Sequence, residues 1–120
     1  MKTIRLELAR SREFPQGSAQ HGYEFHAPLK ADGTFDLAHW RKAPEVCTVR
    51  RFWRGEDDQV GQLVHAKHGW AFSYSPGEDD DEPIFRFGGH VFKTGEYISI
   101  TEHDGVERTF RVTSVKDAAV

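Results

Sequence analysis

Apolar and polar residues alternate along much of this chain. Ile4, Leu6 and Leu8 alternate with Arg5 and Glu7, and Tyr23, Phe25, Ala27 and Leu29 alternate with Glu24 and His26. A period of two sends one set of side chains to a buried face and the other to solvent, which predicts β-strands. The pattern recurs where Trp70, Phe72 and Tyr74 alternate with Ala71, Ser73 and Ser75, and where Phe85 and Phe87 flank Arg86. Residues 46–54, 59–66, 97–102 and 106–115 complete a set of about eight strands separated by turn signals. The expected fold is all-β, an antiparallel meander closing into a small barrel. One stretch breaks the alternation. Asp36 can accept backbone N–H groups, Leu37 and Trp40 fall on one side, and Pro44 forbids continuation beyond Lys42, so a single short helix is predicted near residues 36–43. It should cover one end of the sheet with Leu37 and Trp40 pointing inward.

Two turns fix expected registers. With His103-Asp104-Gly105 as a three-residue hairpin loop and Gly105 left-handed, Ile98 faces Phe110 and Ile100 faces Arg108, which puts the apolar set on one side. The same rule applied to Lys67-His68-Gly69 places Ala66 opposite Trp70, Val64 opposite Phe72 and Gln62 opposite Tyr74. Alternating strand direction then gathers Glu56-Asp57-Asp58, the acidic run Glu78–Glu82 and the 103–105 turn at one end. The helix, the 67–69 turn and the Lys93-Thr94-Gly95-Glu96 turn fall at the other.

The segment Arg50-Arg51-Phe52-Trp53-Arg54 lies in this frame on a strand, and a strand forces a choice of face. Cys47, Val49, Arg51 and Trp53 are the more apolar set and are expected to point inward. Arg51, Arg108, Gln62 and Tyr74 then converge toward the acidic end, with Trp70 and Phe72 deeper. These six are the candidate ligand-binding residues, a polar mouth over an apolar floor suited to a small anionic or amphipathic ligand. A partner protein engaging the same end is the companion expectation.

Composition narrows the alternatives. The 120 residues, 38% hydrophobic, suit a single domain over 1–120, and one cysteine, Cys47, rules out an intrachain disulfide. The opening MKTIRLELAR is charged at alternate positions where a signal peptide would be apolar, and no stretch is long and apolar enough to span a bilayer, so a cytoplasmic protein with no membrane segment is expected. Net charge is -3 but uneven: residues 1–54 carry ten Lys/Arg against six Asp/Glu, and residues 55–120 carry six against thirteen. A single-stranded nucleic-acid site using Arg50, Phe52 and Arg54 is therefore the rival from another class, opposed by the carboxylates near one end. No nucleophile elbow, phosphate loop or metalloprotease motif points to an enzyme, and no cofactor is implied. Cys47, His65, His68 and His90 match no zinc spacing, and Glu78–Glu82 lacks the spacing and glycine of a calcium loop, leaving it and Glu56–Asp58 as solvated acidic segments.

The segments FDLAHWRKAPEVCTVRRF (35–52) and GEYISITEHDGVERTFRVTSV (95–115) resemble small bacterial all-β proteins, a resemblance that implies the fold and no activity. In architecture alone the expected barrel is similar to lipocalins and streptavidin, whose interior holds one small ligand. The plain counter-reading is a structural or interaction domain with a filled core, in which inward arginines are neutralised by protein carboxylates such as Glu24 or Glu102.

Overall fold

A computed structural model describes residues 1–66, 69–74 and 81–118. Eight strands form one antiparallel sheet: β1 (Lys2–Leu8), β2 (Ser18–Ala27), β3 (Thr48–Trp53), β4 (Gln59–Ala66), β5 (Gly69–Ser73), β6 (Glu82–Pro83), β7 (Tyr97–Thr101) and β8 (Glu107–Asp117). The hydrogen-bonded order is β6-β5-β4-β3-β2-β1-β8-β7. Because β1 pairs with both β2 and β8, this is an up-and-down meander wrapped on itself, open only between β6 and β7. That seam is crossed by an Ile84–Ile100 bridge and by Phe85 N–H donating to Ser99 O at 2.9 Å. The result is a nearly closed barrel, as the alternation predicted.

Ile4, Leu6, Leu8, Tyr23, Phe25 and Ala27 all point inward and are buried, the outcome of period two on β1 and β2. Phe72, Phe87, Phe92, Phe110, Ile98, Ile100 and Leu63 meet them from the other strands and loops. The rings pack closely: Phe72 lies 5.1 Å from both Tyr23 and Phe25, and Phe92 lies 5.1 Å from Phe87. The interior is occupied by side chains, as small eight-stranded barrels permit. Phe72, expected to floor a ligand cavity, is instead an integral part of this core.

The 103–105 hairpin has the expected register, with Ile98 opposite Phe110, Ile100 opposite Arg108 and Gly105 at φ +82°. The β4–β5 hairpin differs by one residue. Ala66 faces Gly69, His65 faces Trp70, Leu63 faces Phe72 and Gln62 faces Ser73. A one-residue slip exchanges the faces of a strand, so Leu63 enters the core and Gln62 turns outward. Gly69 has φ +131°, and Lys67 and His68 lie outside the described residues. The Phe85-Arg86-Phe87 alternation is no strand either: Arg86 is left-handed at φ +52°, so Phe87 turns in while Phe85 stays exposed.

Helix α1 (Leu37–Lys42) is where Asp36 and Pro44 delimit it. Asp36 Oδ1 accepts from His39 N–H at 3.1 Å, and a 3₁₀ turn, Pro44–Val46, follows. Leu37 and Trp40 pack on the core, so the helix covers one barrel end. No helix among the described residues is long and apolar enough to cross a membrane.

Candidate functional site

At the end opposite α1, β3 carries Arg51 inward, with 4% of its side chain exposed. Two carboxylates wholly withdrawn from water meet it there: Glu82, at the start of β6, and Glu102, at the end of β7. Arg51 Nε donates to Glu102 Oε2 at 3.1 Å and lies 3.7 Å from Glu82 Oε2, while Nη1 reaches Glu56 Oε1 at 3.3 Å. From β8, Arg108 Nη1 donates to Glu102 Oε1 at 2.9 Å and to Asp104 Oδ2 at 3.0 Å, and Nε reaches Glu13 at 3.3 Å. The Tyr23 hydroxyl sits between the carboxylates, 2.6 Å from Glu102 Oε2 and 3.0 Å from Glu82 Oε1. Tyr74 donates to Glu82 Oε1 at 2.8 Å, and His103 contacts Glu82 Oε2 through its backbone N–H at 3.0 Å and Nδ1 at 2.9 Å.

This network joins seven of the eight strands or the loops leaving them, and through Glu82 it ties β6 to the β7–β8 loop across the seam. Its electrostatics are those of a closed cluster. Burial, then the Glu82 and Glu102 charges, hold the Tyr23 hydroxyl well above its ordinary range; burial and Glu82 do the same to Tyr74. Both phenols stay protonated and serve as donors. Arg51 is disfavoured as a cation by burial but sustained by Glu102, so its pKa rises, and Arg108 is raised likewise by Asp104 and Glu102 against its own burial. Trp53 lids the pair, its ring 4.3 Å from the Arg51 guanidinium and 5.5 Å from that of Arg108.

Of the predicted site, the structure brings Arg51, Arg108 and Tyr74 together. Gln62 is not there: it is exposed on the outer face and donates to Glu45 O at 3.4 Å, the consequence of the one-residue slip. Trp70 lies at the helix end, and Phe72 packs in the core against Tyr23. Sequence reasoning missed Tyr23, His103 and Glu82, the last because nothing local separates it from its neighbours in an acidic run. Of that run, Glu78-Asp79-Asp80 lies outside the described residues. Glu24, the other proposed neutraliser, instead pairs on the surface with Arg5 and Arg50.

The rival nucleic-acid face lacks its platform. Phe52 is 8% exposed, covered by the guanidinium of Arg5 at 4.3 Å and that of Arg50 at 5.2 Å from its ring centre. Arg50, with 40% of its side chain exposed, is itself bound to Asp58 at 3.0 Å, and Arg54 stands exposed. Ser18 Oγ meets His21 Nδ1 at 2.6 Å near the acidic mouth but also accepts from Gln20 N–H, a local turn, and no carboxylate bonds His21 among the described residues. No group of three or more His, Cys, Asp or Glu among the described residues is arranged to hold a metal ion.

The helix end is different in character. Trp70 lies under α1 with Phe35 and Trp40 at 4.7 Å, both steeply tilted, and Phe87 at 5.8 Å. His65 stacks on it at 4.5 Å with the planes 10° apart. Two buried ring nitrogens at this end, Trp40 Nε1 and His90 Nε2, have no hydrogen-bond partner among the described residues. His90 belongs to the same end because Thr34 bridges to Val91, setting it beside Phe35. Burial lowers its pKa from the ordinary histidine value, against the opposing charge of Glu96, so the ring is neutral near pH 7. A third unpartnered atom, Asp81 Oδ1, borders the undescribed residues 75–80. No protein-family model, curated protein or solved structure matches the chain.

Proposed function

We propose that the chain is a small binding barrel that takes its ligand at the helix end, and that the arginine end is a structural lock. The carrying observation is the contrast in hydrogen bonding. At the arginine end, Arg51 and Arg108 are held by five carboxylates, Glu13, Glu56, Glu82, Glu102 and Asp104. An anionic ligand would have to displace a buried carboxylate and leave it unpaired, at a cost of about 3–5 kcal/mol. At the helix end, Trp40 Nε1 and His90 Nε2 are buried and have no hydrogen-bond partner among the described residues. Each such group costs about 1–3 kcal/mol, a cost that a hydrogen-bonding ligand removes.

The three tryptophans report on the two ends separately, since Trp53 lies on Arg51 whereas Trp40 belongs to α1 and Trp70 lies beneath it. A fragment library screened against the ¹⁵N-labelled protein should move the indole N–H signals of Trp40 and Trp70 saturably and leave Trp53 in place. Movement of Trp53 alone would return the ligand to the arginine mouth. Silence at all three would make the protein an interaction domain acting through its outer surface.

A further inference from the structure

Resting on that reading, we infer that the ligand is a neutral planar ring carrying a carbonyl acceptor, which stacks on Trp70 in the place His65 now occupies and accepts the Trp40 indole N–H. Three features of the helix end select this chemistry.

Shape comes first. Among the described residues the other rings around Trp70 are tilted to it, by 67° for Phe35, 87° for Trp40 and 38° for Phe87, whereas His65 lies parallel, at 10°. One face of the indole therefore accommodates a flat ring in offset or parallel stacking, a favoured aromatic arrangement. The ring now filling it belongs to an exposed residue at the end of β4 that forms no hydrogen bond among the described residues. His65 can leave by rotating into solvent, without opening the core. The rim is uncrowded too: a Cβ at Gly89 would meet nothing within 4 Å, and one at Gly88 only Trp70 Nε1, at 3.9 Å.

Hydrogen bonding comes second. An indole nitrogen is a donor and never an acceptor, so the missing partner of Trp40 Nε1 must be an acceptor such as a carbonyl oxygen. His90, neutral near pH 7, leaves Nε2 open to a donor or an acceptor according to tautomer.

Charge comes third. Among the described residues no cation–π pair includes Trp40 or Trp70, and no ion pair includes Phe35, Trp40, His65, Trp70, Phe87 or His90. Among the described residues a cation would find no carboxylate paired with these side chains and an anion no ammonium or guanidinium, Glu96 acting on His90 short of an ion pair. A neutral ligand forfeits least hydration on entering such a site.

Nicotinamide, a neutral flat ring with a carboxamide, is the probe. Titrated into the full chain, it should move the Trp40 indole proton downfield and Trp70 with it, saturably, with Trp53 unmoved. Trp40→Phe should weaken binding about three- to tenfold, the worth of one hydrogen bond. His65→Ala should tighten it about two- to tenfold, because the competing stack is gone; this variant changes an exposed side chain and tests the idea even where Trp40→Phe fails to fold. Weaker binding in His65→Ala, or binding indifferent to Trp40→Phe in a folded variant, overturns the proposal. Methyl β-glucoside, tetramethylammonium and benzoate form the comparison arms. If one of them moves Trp40 and nicotinamide does not, the ligand class is wrong and the helix-end site stands; if no compound moves Trp40 or Trp70, the site itself is wrong.

Discussion

Arg51 Nε donates to Glu102 Oε2 at 3.1 Å with 4% and 0% of the two side chains exposed. A pair so far from water is held by its partners, and removing one leaves the other charged and unmatched. Arg51→Met and Glu102→Gln should each lower stability by about 3–5 kcal/mol, read as a shift of the urea midpoint. The double variant Arg51→Met/Glu102→Gln should lose clearly less than the sum, since residues sharing a network are not additive. A simple sum would mean that the two side chains act independently.

Stability should fall as the medium becomes mildly acidic. Burial, assisted by Arg51 and Arg54, lowers the His21 pKa from 6.5, and burial lowers that of His90. A base whose folded pKa is depressed takes up its proton more readily when unfolded. The stability present above the unfolded value of 6.5 is therefore lost as pH drops below it. Urea midpoints at about pH 7.5 and about pH 5.5 should differ, and His21→Gln/His90→Gln should flatten the slope. An unchanged slope in that variant would assign the acid sensitivity to other groups.

Gly61 and Gly105 separate two reasons for glycine. A Cβ at Gly61 would lie 2.1 Å from Ser73 O and 2.9 Å from Tyr74 Cδ1, the approach that lets Tyr74 reach Glu82. Gly61→Ala should cost about 1–3 kcal/mol through overpacking and change the Tyr74 environment, visible in its ring NMR signals.

At Gly105 a Cβ would meet nothing within 4 Å, but φ is +82°. Gly105→Ala should cost about 1 kcal/mol from backbone conformation alone, with Arg108 and Glu102 undisturbed. Equal losses for the two variants in denaturant titration would contradict this division.

Much of the architecture was legible because its causes are local. Ile4, Leu6 and Leu8 repeat every second residue whatever lies opposite them, Asp36 and Pro44 bound a helix by their own chemistry, and Gly105 sets the register of β7 on β8 through three residues of loop. The same local rule failed at Gly69, also at positive φ, where the observed pairing carries Leu63 rather than Val64 to the core. Burying leucine and exposing Gln62 settled that register, a preference belonging to the core as a whole and not to the turn.

The sequence by itself therefore determined a barrel of alternating strands, the short helix at one end, and an arginine turned inward from β3. Tertiary structure alone decided what that arginine meets. Glu102 lies 51 residues from Arg51 along the chain, and Tyr23 lies 59 from Glu82 and 79 from Glu102; pairings so remote leave no periodic trace. It also decided that Trp40, from the helix, and Trp70, from β5, meet at nearly right angles, with the Trp40 nitrogen unpaired among the described residues. Periodicity reports which face a side chain occupies, whereas the partner it finds there depends on closure of the whole barrel.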